Sequence, residues 1–164
     1  MTFDTADICD EHHDDVQVLA PHFNSYGGLD HCCGEIVTIK LDEDNTDLIT
    51  LLKENGKGKV AVVDVSASYV AVVGDKLMGF AKENEWNGII VNGYIRDTKN
   101  TCKIDVALFA LNTCPKKSRK ISAGLRNIEL EFGDVTFRAG EYLYADDHGI
   151  IVAEKDLLST HPII

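Results

Sequence analysis

Apolar positions along this chain change period several times, and each change marks a predicted element. Residues 34–41, Gly-Glu-Ile-Val-Thr-Ile-Lys-Leu, alternate in the manner of a strand, with Ile39 and Leu41 beside polar Thr38 and Lys40. Leu48, Ile49, Leu51 and Leu52 then form one helical stripe. Asp44 or Asn45 caps its start, and Gly56 stands where a helix C-terminus favours a residue free to take positive φ. Residues 60–65, Val-Ala-Val-Val-Asp-Val, are a nearly continuous apolar run of strand length, which predicts a strand covered on both faces. A second short run, Val70-Ala71-Val72-Val73, stops at Gly74, after which Leu77, Phe80 and Ala81 take helical spacing through about Asn84. Gly88-Ile89-Ile90-Val91 is the next strand. It ends at Asn92-Gly93, a turn dipeptide just ahead of Arg96-Asp97.

The two ends of the chain read differently. Asp4 and Thr5 are good N-caps for a first helix through about His12, and Pro21 marks an extended segment. Towards the C-terminus, residues 126–131, 135–137, 141–144 and 149–152 read as short strands separated by Gly133-Asp134, Ala139-Gly140 and Asp146-Asp147-His148-Gly149 turns. The expectation is an α/β fold, a central mixed sheet flanked by helices, with a β-rich C-terminal half.

Composition narrows the classes of function. The chain of 164 residues is 45% hydrophobic and 26% charged, a folding composition that fits a single domain over residues 1–164. No stretch approaches the ~18 apolar residues of a spanning helix, and the N-terminus has no secretory pattern, so a cytoplasmic, membrane-free protein is expected. With 27 acidic against 16 basic residues the net charge is −11, which repels a phosphate backbone and argues against direct nucleic-acid binding. The five cysteines lack zinc-site spacing and are read as reduced thiols, including Cys32 and Cys33 beside His31. Adjacent His12 and His13 cannot share a helix face and read as solvated. Lys116-Lys117-Ser118-Arg119-Lys120, a basic run in an acidic chain, reads as a solvated loop.

Several strings carry a wider likeness: Asn84-Glu85-Trp86-Asn87-Gly88, Asn92-Gly93-Tyr94-Ile95-Arg96-Asp97, Gly133-Asp134-Val135-Thr136-Phe137 and Tyr144-Ala145-Asp146-Asp147-His148-Gly149-Ile150-Ile151-Val152. From about Phe3 to about Leu158 the chain resembles the RraA family, regulators of ribonuclease activity, and the related metal-dependent pyruvate aldolases. That resemblance implies a swivelling β/β/α fold and a ring-shaped homotrimer. It also implies two functional branches. One binds ribonuclease E and suppresses RNA cleavage; the other cleaves 4-hydroxy-4-methyl-2-oxoglutarate into two pyruvates and decarboxylates oxaloacetate.

In the aldolase branch an Asp is followed, after twenty residues, by Arg-Asp, and here Asp75, residues 76–95 and Arg96-Asp97 match. The regulator branch tends to lose these acids and keep the arginine. The resemblance therefore implies Asp97 as ligand to Mg²⁺ or Mn²⁺, with Asn100, where the family prefers an acid, behind it. No position matches the glutamate that longer aldolases carry in a C-terminal extension. The chemistry suits these residue types. Cleaving the C–C bond one carbon beyond the carbonyl of a 2-oxo acid leaves a pyruvate enolate whose oxyanion must be stabilised. Arg96 is a permanent forked cation for the carboxylate or keto oxygen. Gly74-Asp75-Lys76-Leu77 opens a helix whose free N–H groups would take the pyruvate carboxylate, with Asp75 orienting a water for proton transfer.

Two expectations stand side by side: a lyase on a small 2-oxo acid, favoured by the motif, and a noncatalytic partner of ribonuclease E, favoured by strings such as Asn84-Glu85-Trp86 and by the negative charge. A trimer keeping the pocket without turnover is a third.

Overall fold

The computed structural model describes residues 2–158, and its elements follow the apolar runs. In chain order they are α1 (Thr5–Glu11), β1 (Val16–Val18), β2 (Asn24–Ser25), β3 (Cys32–Lys40), α2 (Thr46–Leu52), β4 (Lys59–Asp64), β5 (Ala71–Val73), α3 (Asp75–Glu83), β6 (Gly88–Ile95), α4 (Thr98–Thr101) and β7 (Ala107–Thr113). They continue with β8 (Leu125–Arg126), β9 (Leu130–Phe132), β10 (Val135–Phe137), β11 (Tyr142–Ala145) and β12 (Ile150–Ala153).

The large sheet is mixed and runs β1-β12-β11-β3-β4-β6-β7-β2, with β5 also on β6 and β8 also on β3. Its centre is parallel, β3 with β4, β4 with β6, β6 with β7 and β5 with β6. Its flanks are antiparallel. Strands buried on both faces need no polar alternation, and β4 obeys this. Ala61 and Val63 join one core with Leu48, Leu51, Leu52, Leu77, Met78 and Ala81 of α2 and α3. Val60 and Val62 point the other way, into a second core with Leu130, Val135 and Phe137 from the β9–β10 hairpin. The β9–β10 hairpin is thus the second cover of the sheet, while β8, β11 and β12 of the C-terminal β-rich segment join the sheet itself. Among the described residues no helix is long and apolar enough to cross a membrane.

Asp4 caps α1 by accepting from the Asp7 N–H, and His12 is the C-cap. Asp44, not Asn45, supplies the side-chain oxygen at the start of α2, accepting from the Thr46 N–H at 2.9 Å.

Four sequence expectations need correction. The strand expected to end at Asn92-Gly93 continues to Ile95. Partners at the end of β4 override the turn preference: the Asn92 carbonyl accepts from Val65 N and Ala67 N, and its amide donates to Asp64 Oδ1 at 2.9 Å. The cost is a register irregularity against β7 between Val91 and Tyr94. Gly56 lies outside the positive-φ set, and α2 closes at Lys53. It is needed for space, because a Cβ there would lie 2.1 Å from the Trp86 ring. The strand expected over residues 126–131 breaks at Asn127, which takes φ 59° and divides it into β8 and β9. Residues 107–113, whose apolar run resembles that of β4 but for which no element is expected above, form β7.

Candidate active site

Strands β5 and β6 run parallel and end together, with Val73 opposite Ile95 and the Arg96 N–H donating to the Val73 carbonyl at 3.0 Å. From these two ends the chain enters α3 at Gly74 and α4 at Asp97. Neighbouring strand ends meeting helix starts are where open α/β sheets collect ligands.

Asp97 sits in the left-handed region, φ 63° and ψ 36°. From this turn its Oδ2 accepts from the Asp75 N–H at 3.2 Å, so the residue that begins α4 also caps α3. Gly74 leaves room for that carboxylate; a Cβ at Gly74 would stand 2.5 Å from Asp97 Oδ2. Asn100 closes the ring. Its backbone N–H donates to the Asp97 carbonyl at 2.9 Å, and its side-chain amide donates to Asp75 Oδ2 at 3.0 Å.

Arg96 is half-buried and its guanidinium donates to the Pro115 carbonyl at 3.4 Å. Arg96 and Asp97 form no ion pair, because adjacent side chains leave the strand end in different directions; the Lys and Arg ion pairs among the described residues are those of Lys40, Arg126 and Arg138. On α3, the Asp75 N–H is occupied and the Met78 N–H is bonded to Gly74 O at 3.1 Å. The N–H groups of Lys76 and Leu77 are the open donors of the first turn. The structure therefore brings Gly74, Asp75, Lys76, Leu77, Arg96 and Asp97 onto one cleft of about 340 Å³, with Asn100 bonded behind Asp75.

The donor set suits a hard cation. Among the described residues Asp97 Oδ1 has no hydrogen-bond partner and the side chain is exposed, and the oxygens around it belong to carboxylates and an amide. Mg²⁺ commonly needs only one or two carboxylates with waters filling its shell. Among the described residues, the group of three metal-type ligands within reach of one another lies elsewhere: Asp4, Asp146 and His148. There Asp146 is used as a latch, accepting from Thr5 N at 2.8 Å, Thr5 Oγ1 at 2.6 Å and His148 N at 2.9 Å. Burial pushes its carboxyl up, but those hydrogen bonds and His148 outweigh it and hold the group below its usual range.

Larger clefts lie elsewhere, about 470 Å³ beside β1 and β12, about 620 Å³ against Phe23 and Phe109, and about 460 Å³ along the β9–β10 hairpin. None of these is formed where parallel strand ends feed helix starts, so size alone does not mark the site.

The structure revises the basic run. The Ala71 N–H donates to Lys116 O at 2.7 Å and the Ser118 N–H to Ala71 O at 3.2 Å, so this segment pairs with β5. Ser118 is buried, and Lys117, Ser118 and Lys120 line the cleft. The run of positive charge was visible in the sequence; its pairing with β5 was not. Asn45, just ahead of α2, and Ile49 on α2 also reach the cleft; the sequence marked them only as a cap candidate and a position of the helical stripe. Of the remaining candidates, His13 lies exposed beside Asp14, His31 beside Asp30, and Cys32 is buried with its thiol pushed up by desolvation. All five cysteines are unpaired.

Comparison with known proteins agrees on one family, while the activities in those proteins' names differ. A family model described as RraA-like, Aldolase/RraA, matches residues 5–152. A protein of Dechloromonas aromatica (strain RCB), named "Putative 4-hydroxy-4-methyl-2-oxoglutarate aldolase", is 45% identical over 162 residues, which covers 96% of this chain and 99% of that protein. A solved structure described as S-adenosylmethionine: 2-dimethylmenaquinone methyltransferase from geobacillus kaustophilus HTA426 superposes with a TM-score of 0.94 at 40% identity, over 98% of this chain and 100% of its own. The RNA-processing inhibitor RraA from Thermus thermophilis gives 0.93 at 31% identity, over 98% of both.

Proposed function

Because this chain belongs to the RraA-like family, we propose that it is a metal-dependent carbon–carbon lyase on 2-oxo acids, cleaving 4-hydroxy-4-methyl-2-oxoglutarate to two pyruvates and decarboxylating oxaloacetate. The observation that carries this reading is the ring formed by Asp75, Asp97 and Asn100 at the paired ends of β5 and β6, with Arg96 facing the same cleft.

Each residue has a definite task. The open N–H groups of Lys76 and Leu77, at the positive end of α3, hold the carboxylate next to the keto group. Arg96 directs its guanidinium at the keto oxygen, where charge develops as the bond breaks. Asp75, held by Asn100, acts through a water to take the proton from the substrate hydroxyl. The C–C bond then breaks, its electron pair becomes the enolate of one pyruvate, and the second pyruvate leaves as a ketone. The same water returns a proton to the enolate carbon. Asp97 would hold Mg²⁺ or Mn²⁺, which when bound supplies Lewis acidity next to the keto oxygen.

The methyltransferase name of the Geobacillus protein fits this cleft poorly, since S-adenosylmethionine carries a cationic sulfonium and the walls here already present four cations. A second reading is favoured by the Thermus neighbour and the net charge of −11: a noncatalytic inhibitor that docks on basic segments of ribonuclease E. Either form is proposed to assemble as a homotrimer, of about three times the 18.0 kDa chain mass by light scattering, with the cleft close to a subunit boundary.

The deciding assay incubates the purified protein with Mg²⁺ or Mn²⁺ and oxaloacetate and follows pyruvate with and without a chelator. Metal-dependent release supports the lyase. No release, together with salt-sensitive binding to ribonuclease E and none to bare RNA, replaces it with the inhibitor.

A further inference from the structure

The cleft carries more positive charge than the reaction as described uses. Arg96 and the first turn of α3 suffice for the keto acid end of a substrate. Lys117 and Lys120 lie on the same cleft, contributed by the segment that follows β7. In a chain of net charge −11 this is a local reversal of sign, with Lys76, Arg96, Lys117 and Lys120 around only two carboxylates, Asp75 and Asp97. None of these four cations forms an ion pair among the described residues, and Lys120 acts on Asp44 only at longer range.

The roots of the two lysines are fixed by the fold. Residues 116 and 118 bond to Ala71 on β5, while the Arg119 N–H donates to Glu43 Oε1 at 2.9 Å. The Ser122 N–H donates to Asp44 Oδ2 at 3.2 Å, and the Ser122 hydroxyl to the Asp42 carbonyl at 3.0 Å. The segment is thus stitched at both ends to β5 and to the loop before α2, three residues upstream of Gly74 in the case of Ala71. A compact ammonium on a flexible stem and a fixed root suits an anion whose position varies between substrates, whereas the forked arginine suits the reacting end. About 340 Å³ is at the small end of ligand sites, which run roughly 300–1,000 Å³, and matches a small metabolite.

Building on the lyase reading, which already gives the cleft a dicarboxylic 2-oxo acid as substrate, we infer that Lys117 and Lys120 are the residues that bind its distal carboxylate. They touch neither the keto group nor the bond that breaks. Their contribution is uniform binding of ground and transition states, which appears in KM and leaves kcat nearly unchanged.

The test compares the wild type, Lys117→Ala, Lys120→Ala and the double variant with Mg²⁺ present, using three readouts. Exchange of the pyruvate C3 protons with deuterated water, followed by NMR, needs only the keto acid end. Cleavage of 4-hydroxy-4-methyl-2-oxoglutarate needs the distal carboxylate as well. Cleavage of 4-hydroxy-2-oxopentanoate, the same skeleton with hydrogen in place of that carboxylate, does not. Each single variant should raise KM for the dicarboxylate about tenfold, equivalent to about 1.4 kcal/mol, with kcat within about twofold. Pyruvate exchange and KM for the monocarboxylate should stay at wild-type values, and Lys117→Arg should restore most of the lost affinity. An unchanged dicarboxylate KM, or equal losses on both substrates, overturns the assignment while leaving the lyase intact. Absence of pyruvate exchange in the wild type overturns the lyase reading and this assignment with it.

Discussion

Replacing Gly74 with alanine should separate the chemistry of the cleft from the stability of the fold. The backbone at Gly74 is extended, φ −139° and ψ −161°, so alanine meets no conformational strain. Its Cβ would meet Asp97 Oδ2 at 2.5 Å, Asp97 Cγ at 3.5 Å and Arg96 Cγ at 3.7 Å. The first distance is roughly 1 Å short of an ordinary contact of ~3.5 Å. The obstructing oxygen is at the end of an exposed side chain, so the carboxylate can turn away. The turn breaks the 3.2 Å bond that caps α3. A lost cap costs about 0.5–2 kcal/mol, and Gly→Ala at a compatible conformation returns about 0.4–1 kcal/mol through the unfolded chain. The net effect then lies between a gain of about 0.5 and a loss of about 1.6 kcal/mol, or a fall in Tm of at most ~6 °C for a chain of this size. Turnover responds differently, because misplacing a reacting group by ~1 Å costs on the order of 10²-fold. The assay is metal-dependent pyruvate release from oxaloacetate, paired with a thermal melt of the same sample. Turnover within twofold of wild type would mean that the position of the Asp97 carboxylate is irrelevant to the reaction. A melt lowered by ten degrees or more would mean that Gly74 serves the fold rather than the site.

Four further outcomes follow from the same contacts. Asp97→Ala should abolish metal-dependent pyruvate formation while staying folded, with its melting lowered by the loss of the α3 cap, about 0.5–2 kcal/mol, and Arg96→Lys should lose ~10²–10³ in turnover with near-native melting although it keeps the charge; a folded Asp97→Ala protein of normal activity removes the metal from the scheme. Gly56→Ala should cost about 1–3 kcal/mol or more, since its Cβ would lie 2.1–2.4 Å from the ring of Trp86, which is 4% exposed and donates from Nε1 to Glu54 O at 3.1 Å; unchanged melting and unchanged fluorescence of the single tryptophan contradict this packing. Gly79→Ala, on α3 with nothing within 4 Å of a Cβ, should instead stabilise by about 0.5–1 kcal/mol and spare activity; a lower Tm argues against the helix. Asp146 has its folded pKa depressed, so its contribution is present above the unfolded value of about 3.9 and is lost as pH falls through the lower folded value; Asp146→Asn should melt below wild type at pH 7, with the gap closing below about pH 4, and a gap independent of pH rejects the latch between this residue and Thr5.

Local patterns in the sequence sufficed for much of the architecture. A period of two or 3.6 is written in adjacent residues, so β3, β4, α2, α3 and the capping of α1 by Asp4 were legible, as was the two-face burial of β4. Failures came where a partner distant in the chain decides the outcome. Asn92-Gly93 has the composition of a turn, yet Asp64, Val65 and Ala67 hold it in a strand. Gly56 has the composition of a helix stop, yet its role is to admit Trp86, thirty residues on.

The same division runs through the candidate site. Sequence alone determined which groups are available: two carboxylates and an arginine at a fixed spacing, a glycine before a helix, and a basic run in an acidic chain. Tertiary structure alone decided that β5 and β6 end side by side, which is what puts Asp75 against Asp97 across twenty-two positions. It also decided that Asn100 bonds to Asp75, and that residues 116–118 pair with Ala71 so that Lys117 and Lys120 line the cleft. The physical reason is that hydrophobic period and capping are set by neighbours in the chain, whereas strand pairing is a contest among many distant segments for the same edge. Which edge wins is decided only when the whole sheet forms, and the chemistry of this cleft is built on that outcome.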